Sequence, residues 1–215
     1  MYFNIHSHIR PISEKKDVTL ILNLNVPDYI YCCGLDLQNT NYSIGIHPWK
    51  INPDLLSEHL RFIEENIQFE CIKAVGECGL DKLTETPWDL QLRAFTSQIA
   101  ISEKNKKPLI IHCVKAFDEL IALKKDFNPQ QAWIIHGFRG KPQQMQQLVS
   151  QGLYLSFGIH FNTDALKEVP DDKFFLETDD SETSVKQVYT EVSKVKGINL
   201  ENLILQVEKN FAEIF

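Results

Sequence analysis

Short runs of apolar and β-branched residues alternate along this chain with stretches in which apolar residues recur at helical spacing. The runs fall near residues 2–6, 18–24, 42–46, 71–76, 108–112, 132–136, 153–157 and 173–177. Each is continuous and short, as a strand buried on both faces requires. Between several of them, Leu56, Leu60, Ile63 and Ile67, then Trp88, Leu92, Phe95 and Ile99, and finally Leu203, Val207, Phe211 and Ile214 mark amphipathic helices. Strand followed by helix, with eight strands in all, predicts an α/β fold, a distorted TIM (β/α) barrel.

The repeat is imperfect at its start. From His8 to Val18 there is room for one short helical turn, which Pro11 weakens, and Asn25 to Tyr42 holds Pro27 and Gly34 with little helical periodicity. The first one or two helices are therefore expected to be shortened. An open doubly wound sheet is the alternative, but its first strand would usually lead into a Gly-rich turn, and here it leads into His6-Ser7-His8. No Gly/Ser/Pro-rich linker divides the chain, so residues 1–215 are expected to form a single domain.

Composition narrows the function. The 215 residues are 43% hydrophobic with a formal charge of -7, which argues against a broad electrostatic grip on nucleic acid. A phosphate substrate stays open, because divalent ions can supply local positive charge in an acidic protein. Lys15-Lys16, Lys104 with Lys106-Lys107, and Lys124-Lys125 read as solvated groups at helix ends. The first strand begins almost at once, no apolar run is long enough to cross a bilayer, and a cytoplasmic protein is expected. Five cysteines, Cys32, Cys33, Cys71, Cys78 and Cys113, form no CxxC pair and read as free thiols, so zinc held through sulfur is not expected.

Chemistry-bearing side chains cluster at the ends of the strand-like runs: His6 and His8, His47, Glu77, His112, His136, and Glu177 with Asp179. Residues i and i+2 of a strand face the same way, so His6 and His8 can chelate one ion. A carboxylate such as Glu77 at the end of a buried strand is costly unless it is paired or bound to a cation. With nitrogen and oxygen donors, Zn, Mn and Mg are all open.

The segments Asn4-Ile5-His6-Ser7-His8, Gly45-Ile46-His47-Pro48, Ala74 to Asp81 (AVGECGLD), Pro108 to His112, Ile135 to Gly140 (IHGFRG) and Leu176-Glu177-Thr178-Asp179 closely resemble the TatD-like metal-dependent hydrolases. The resemblance spans almost the whole chain, down to the Asn210-containing final helix. It implies a barrel deoxyribonuclease that hydrolyses phosphodiesters, DNA as substrate, and two divalent metal ions. Position by position, it implies that His6, His8 and Asp179 hold one ion and His112 and His136 the other, with Glu77 shared. His47 would contact the scissile phosphate, and Glu177 would orient a water or a ligand. Asp179 is the candidate proton acceptor, and Lys115 and Arg139 are candidate phosphate contacts.

The chain departs from the family in places. Asn4 stands where Asp is common, and after Asp179 it runs Asp180-Ser181-Glu182-Thr183-Ser184 straight into a helix where relatives carry a proline-containing loop and basic residues. Asp81 reads as a structural hydrogen-bond acceptor, His59 as a surface residue, and His160 has no family counterpart. Trp49 and Trp88 offer faces for stacking a base but read first as core. Two alternatives remain: a metal-dependent hydrolase of a small ester or phosphoester, and a non-catalytic binding protein on the same barrel. No membrane and no obligate protein partner is expected.

Overall fold

The computed structural model describes residues 1–9, 17–29 and 40–215. Lys15-Lys16, Pro11, Gly34, Cys32 and Cys33, and with them the expected short turn after His8, lie outside the described residues. Eight strands follow the expected series: β1 (Tyr2–Ser7), β2 (Val18–Asn25), β3 (Asn41–Gly45), β4 (Ile72–Asp81), β5 (Leu109–Val114), β6 (Trp133–Ile135), β7 (Tyr154–Phe157) and β8 (Phe174–Leu176). They form one sheet in chain order. Beyond β8, the backbone N–H groups of Thr178 and Asp179 donate to the His6 carbonyl, and Ser7 bridges Asp179 in parallel. That is the strand plan of a (β/α) barrel.

The helices are α1 (Val26–Tyr29), α2 (Leu56–Asn66), α3 (Trp88–Asn105), α4 (Phe117–Phe127), α5 (Pro142–Ser150), α6 (Thr163–Glu168), α7 (Val185–Lys196) and α8 (Leu200–Ile214). Among the described residues, the connection from β2 to β3 carries the four-residue α1.

The chain divides into two compact units, Met1–Leu22 with Ile134–Phe215, and Asn23–Trp133. In the first, α8 packs Leu203, Val207 and Asn210 inward. The buried Asn210 amide donates to the carbonyls of Asp171 (2.7 Å) and Phe174 (2.9 Å), where β8 begins. In the second unit, β4 is longer than its apolar run suggests. It continues through Gly76 to Asp81, with an irregular register against β5 between Val75 and Cys78. Gly79 sits at φ +140° with its Cα so close to β5 that a Cβ would lie 2.0 Å from the His112 carbonyl oxygen. Only glycine permits that approach, and a polar-looking stretch thereby remains in the sheet.

The surface assignment of His59 is corrected. α2 buries Leu56, His59 and Ile63, a stripe rotated by one residue from the one that Leu60 suggested, and His59 is 2% exposed. Desolvation, partly opposed by Glu58, holds its imidazole below the ordinary pKa, so it packs as a neutral ring.

Asn210→Ala removes the side chain that satisfies two strand-end carbonyls. The expected loss is about 2–3 kcal/mol of stability, measured by urea unfolding.

Candidate functional site

In the first unit, β1 delivers His6 to a fully buried position and His8, just past the strand, to a half-exposed one. Asp179 follows β8, and its Oδ1 lies 3.6 Å from His6 Nε2 and 3.5 Å from His8 Nε2. Donor atoms of His6, His136 and Asp179 all fall within 4.8 Å of one another. Asp179 holds this position at φ +55°, an unusual backbone state for a non-glycine residue. Its carbonyl accepts from the His8 N–H (2.9 Å) and the Ser7 hydroxyl (3.2 Å).

Asn4 explains itself here. Its amide donates to Thr178 Oγ1 (2.8 Å) and its carbonyl oxygen accepts from Thr178 N–H (3.2 Å). An aspartate could only accept, so Asn4 clamps both the hydroxyl and the backbone beside Asp179. Glu177 is fully buried; its Oε1 accepts from Gly137 N–H (2.7 Å) and lies 3.5 Å from His136 Nδ1. A carboxylate so close to Nδ1 can orient the imidazole electrostatically.

In the second unit, donor atoms of His47, Glu77 and His112 fall within 4.8 Å of one another. Glu77, 3% exposed, places Oε1 3.0 Å from His47 Nε2 and 3.0 Å from His112 Nδ1. Its backbone N–H donates to Asn23 Oδ1 (2.7 Å) at the end of β2. Both donor sets consist of imidazoles and carboxylates in a closely packed setting, which suits a divalent cation. The two thiols next to these ligands in sequence are held protonated: burial pushes Cys78 well up, with the Glu77 charge adding to it, and burial takes Cys113 to about 12.

Sequence reasoning read Asp81 as a structural acceptor, and it is one, but a consequential one. Its Oδ2 accepts from the Trp49 indole N–H (2.6 Å) and lies 3.1 Å from His112 Nε2. Burial pushes its carboxyl up, yet the bonds from Trp49, the Leu83 backbone and His112 outweigh that and hold it below the ordinary carboxylate range. Two buried glutamines of α3, unremarked in the sequence, secure the strand ends. Gln91 bonds the backbone N–H (2.8 Å) and carbonyl (3.0 Å) of Asp81, and Gln98 does the same for Ile46 (2.8 and 3.3 Å). Their signal was available: both fall on the inward stripe of α3 beside Phe95 and Ile99.

Lys115, at φ +52°, and Arg139 are exposed and make no hydrogen bond or ion pair among the described residues. Arg139 and the exposed His160 line a small crevice with Glu177, Thr178 and Asp179. A second cleft, of about 320 Å³, is walled by Asp81, Lys82, Thr84, Trp88 and Gln91. Trp49 is not core: it is 59% exposed.

The sequence matches the TatD related DNase family over residues 16–215. This chain belongs to that family. It is 27% identical over 195 residues to an uncharacterized metal-dependent hydrolase, YabD, of Bacillus subtilis, covering 80% of this chain and 76% of that one. It is 25% identical over 181 residues to the 3'-5' ssDNA/RNA exonuclease TatD of Pectobacterium carotovorum, covering 78% and 64%. The solved TatD homolog YJJV of Escherichia coli superimposes with a TM-score of 0.80 at 19% identity, over 100% of this chain and 97% of that one. The TatD fold is thus shared along the whole chain, and the protein is a TatD-family metal-dependent hydrolase.

Asp81→Asn weakens the acceptor that orients His112. Metal affinity is expected to fall about 10- to 100-fold, read by competition with a chromogenic chelator. Because the folded Asp81 pKa is depressed, its stabilising contribution is present above the ordinary value and is lost as pH falls through the folded one. The stability gap between the wild type and Asp81→Asn is therefore expected to close on acidification, measured by denaturant midpoints from pH 7 downward.

Proposed function

We propose that this protein is a deoxyribonuclease that hydrolyses phosphodiester bonds at the ends of single-stranded DNA, using two divalent ions. The donors are His6, His8, Glu77, His112, His136 and Asp179, allotted as the family pattern implies. The observation that carries the reading is two compact donor sets, made only of nitrogen and oxygen ligands and each holding a buried member: His6 beside Asp179, and Glu77 among imidazoles. His136 lies among the donors of the first set, and the family pattern would allot it to the second ion.

Divalent ions bound there supply an acidified water and charge stabilisation on the phosphate oxygens. The side chains do the rest. Asp179, with Oδ1 beside His6 and His8, accepts the proton of the attacking water. His47 donates. Its Nδ1 accepts from the Trp49 backbone N–H (3.1 Å), which leaves the ring proton on Nε2; that N–H, 3.0 Å from Glu77 Oε1, is the donor it would share with a phosphate oxygen. Lys115 and Arg139, uncommitted to any other polar group among the described residues, are the phosphate contacts. The nuclease names of two relatives, the Pectobacterium exonuclease and a putative deoxyribonuclease of Enterocytozoon bieneusi, support a nucleic acid substrate.

The test is cleavage of an end-labelled single-stranded oligonucleotide with Mg, Mn or Zn. Cleavage is expected to require metal and to fall about 100-fold or more in Asp179→Asn; no cleavage with any of the three would overturn the reading. Glu77→Ala is expected to lose both metal equivalents by elemental analysis, whereas retention of paired metals would remove it from the ligand set. Lys115→Ala is expected to raise KM for the oligonucleotide while metal content stays at the wild-type level.

A further inference from the structure

Trp49 combines two properties that rarely occur together. Its side chain is 59% exposed, although a tryptophan has much apolar area to hide. Yet it is not loose. The indole N–H donates to Asp81 Oδ2 (2.6 Å), the backbone N–H donates to His47 Nδ1 (3.1 Å), and the ring stands edge-on to His47 (4.9 Å) and His112 (5.6 Å). Pro48 begins the 3₁₀ turn Pro48–Lys50 that carries it, and His47 caps that turn with its own ring nitrogen. The bonds that pin the indole are made by the same side chains that form the second donor set and its support.

We propose that Trp49 is a stacking platform for an unpaired nucleobase next to the scissile phosphodiester. This deepens the nuclease reading and rests on it. A rigid indole loses little conformational freedom when a planar ligand settles on its free face, and every nucleobase presents such a face. A base inside a duplex has both faces covered, so the platform favours single-stranded ends. It would also give a protein of net charge -7 a source of affinity for DNA that needs no positive charge.

The experiment compares two end-labelled single-stranded oligonucleotides, identical except that one carries abasic sugars at its terminal nucleotides. Each is tested with the metal-loaded wild type, Trp49→Ala and Trp49→Phe. The wild type is expected to prefer the base-bearing strand about tenfold in kcat/KM, chiefly through KM. Trp49→Ala should bring that ratio near one, and Trp49→Phe, which keeps a ring but loses the N–H to Asp81, should restore most of it. No preference in the wild type, or a preference that survives in Trp49→Ala, overturns the platform. If Phe behaves as Ala does, the Asp81 bond and not the ring face is what matters, and the platform fails.

If the wild type cleaves neither strand, the nuclease reading falls separately. The platform is then judged by tryptophan fluorescence on titration with the base-bearing strand. Quenching present in the wild type and absent in Trp49→Phe supports it, and equal signals in the two proteins overturn it.

Discussion

A carboxylate that is 3% exposed midway along the buried strand β4 is the constraint around which the second unit is organised. An unpaired charge there would cost several kcal/mol, and the chain answers with imidazoles 3.0 Å away on either side, from β5 and from the turn after β3. Holding those imidazoles requires further acceptors and donors. Asp81 fixes His112, the Trp49 backbone fixes His47, and Asn23 fixes the Glu77 backbone. The requirement to satisfy one buried charge thus propagates outward through four strand ends.

Neutral amides do much of this secondary work. Asn4, Asn23, Gln91, Gln98 and Asn210 are all buried, and all bond strand-end backbone groups. An amide both donates and accepts, so one side chain can close a backbone N–H and a carbonyl at once without adding a charge. That property suits the rim of a parallel sheet, where the ladder stops and polar groups are left over. The result is a rigid frame behind the imidazoles and carboxylates, as a metal site needs if its ligands are to meet an ion at fixed distances.

The departures of this chain from its family acquire physical content in that frame. Asn4 in place of an aspartate exchanges a charge for a two-way clamp on Thr178. The direct passage from Asp179 into α7, capped by the Ser184 hydroxyl on Gln187 N–H, leaves a short connection. For the proposed nucleic acid substrate, an exposed but immobilised aromatic ring beside His47 and His112 is a source of affinity that needs no positive charge.

The sequence by itself determined the eight strands and the placing of imidazoles and carboxylates on them or just after them. Those features are written locally, in apolar runs, prolines and the residue that ends each run. It misjudged, or left unread, what depends on neighbours distant in the chain. The inward turn of His59 depends on how α2 rotates against its unit, a matter of one residue in the helical stripe. The extension of β4 through Gly79 depends on the closeness of the β5 backbone. The exposure of Trp49 and the coupling of Asp81 to His112 depend on three strand ends meeting, which no spacing within any one segment encodes. Periodicity reports which face of an element is apolar; only packing decides what that face meets.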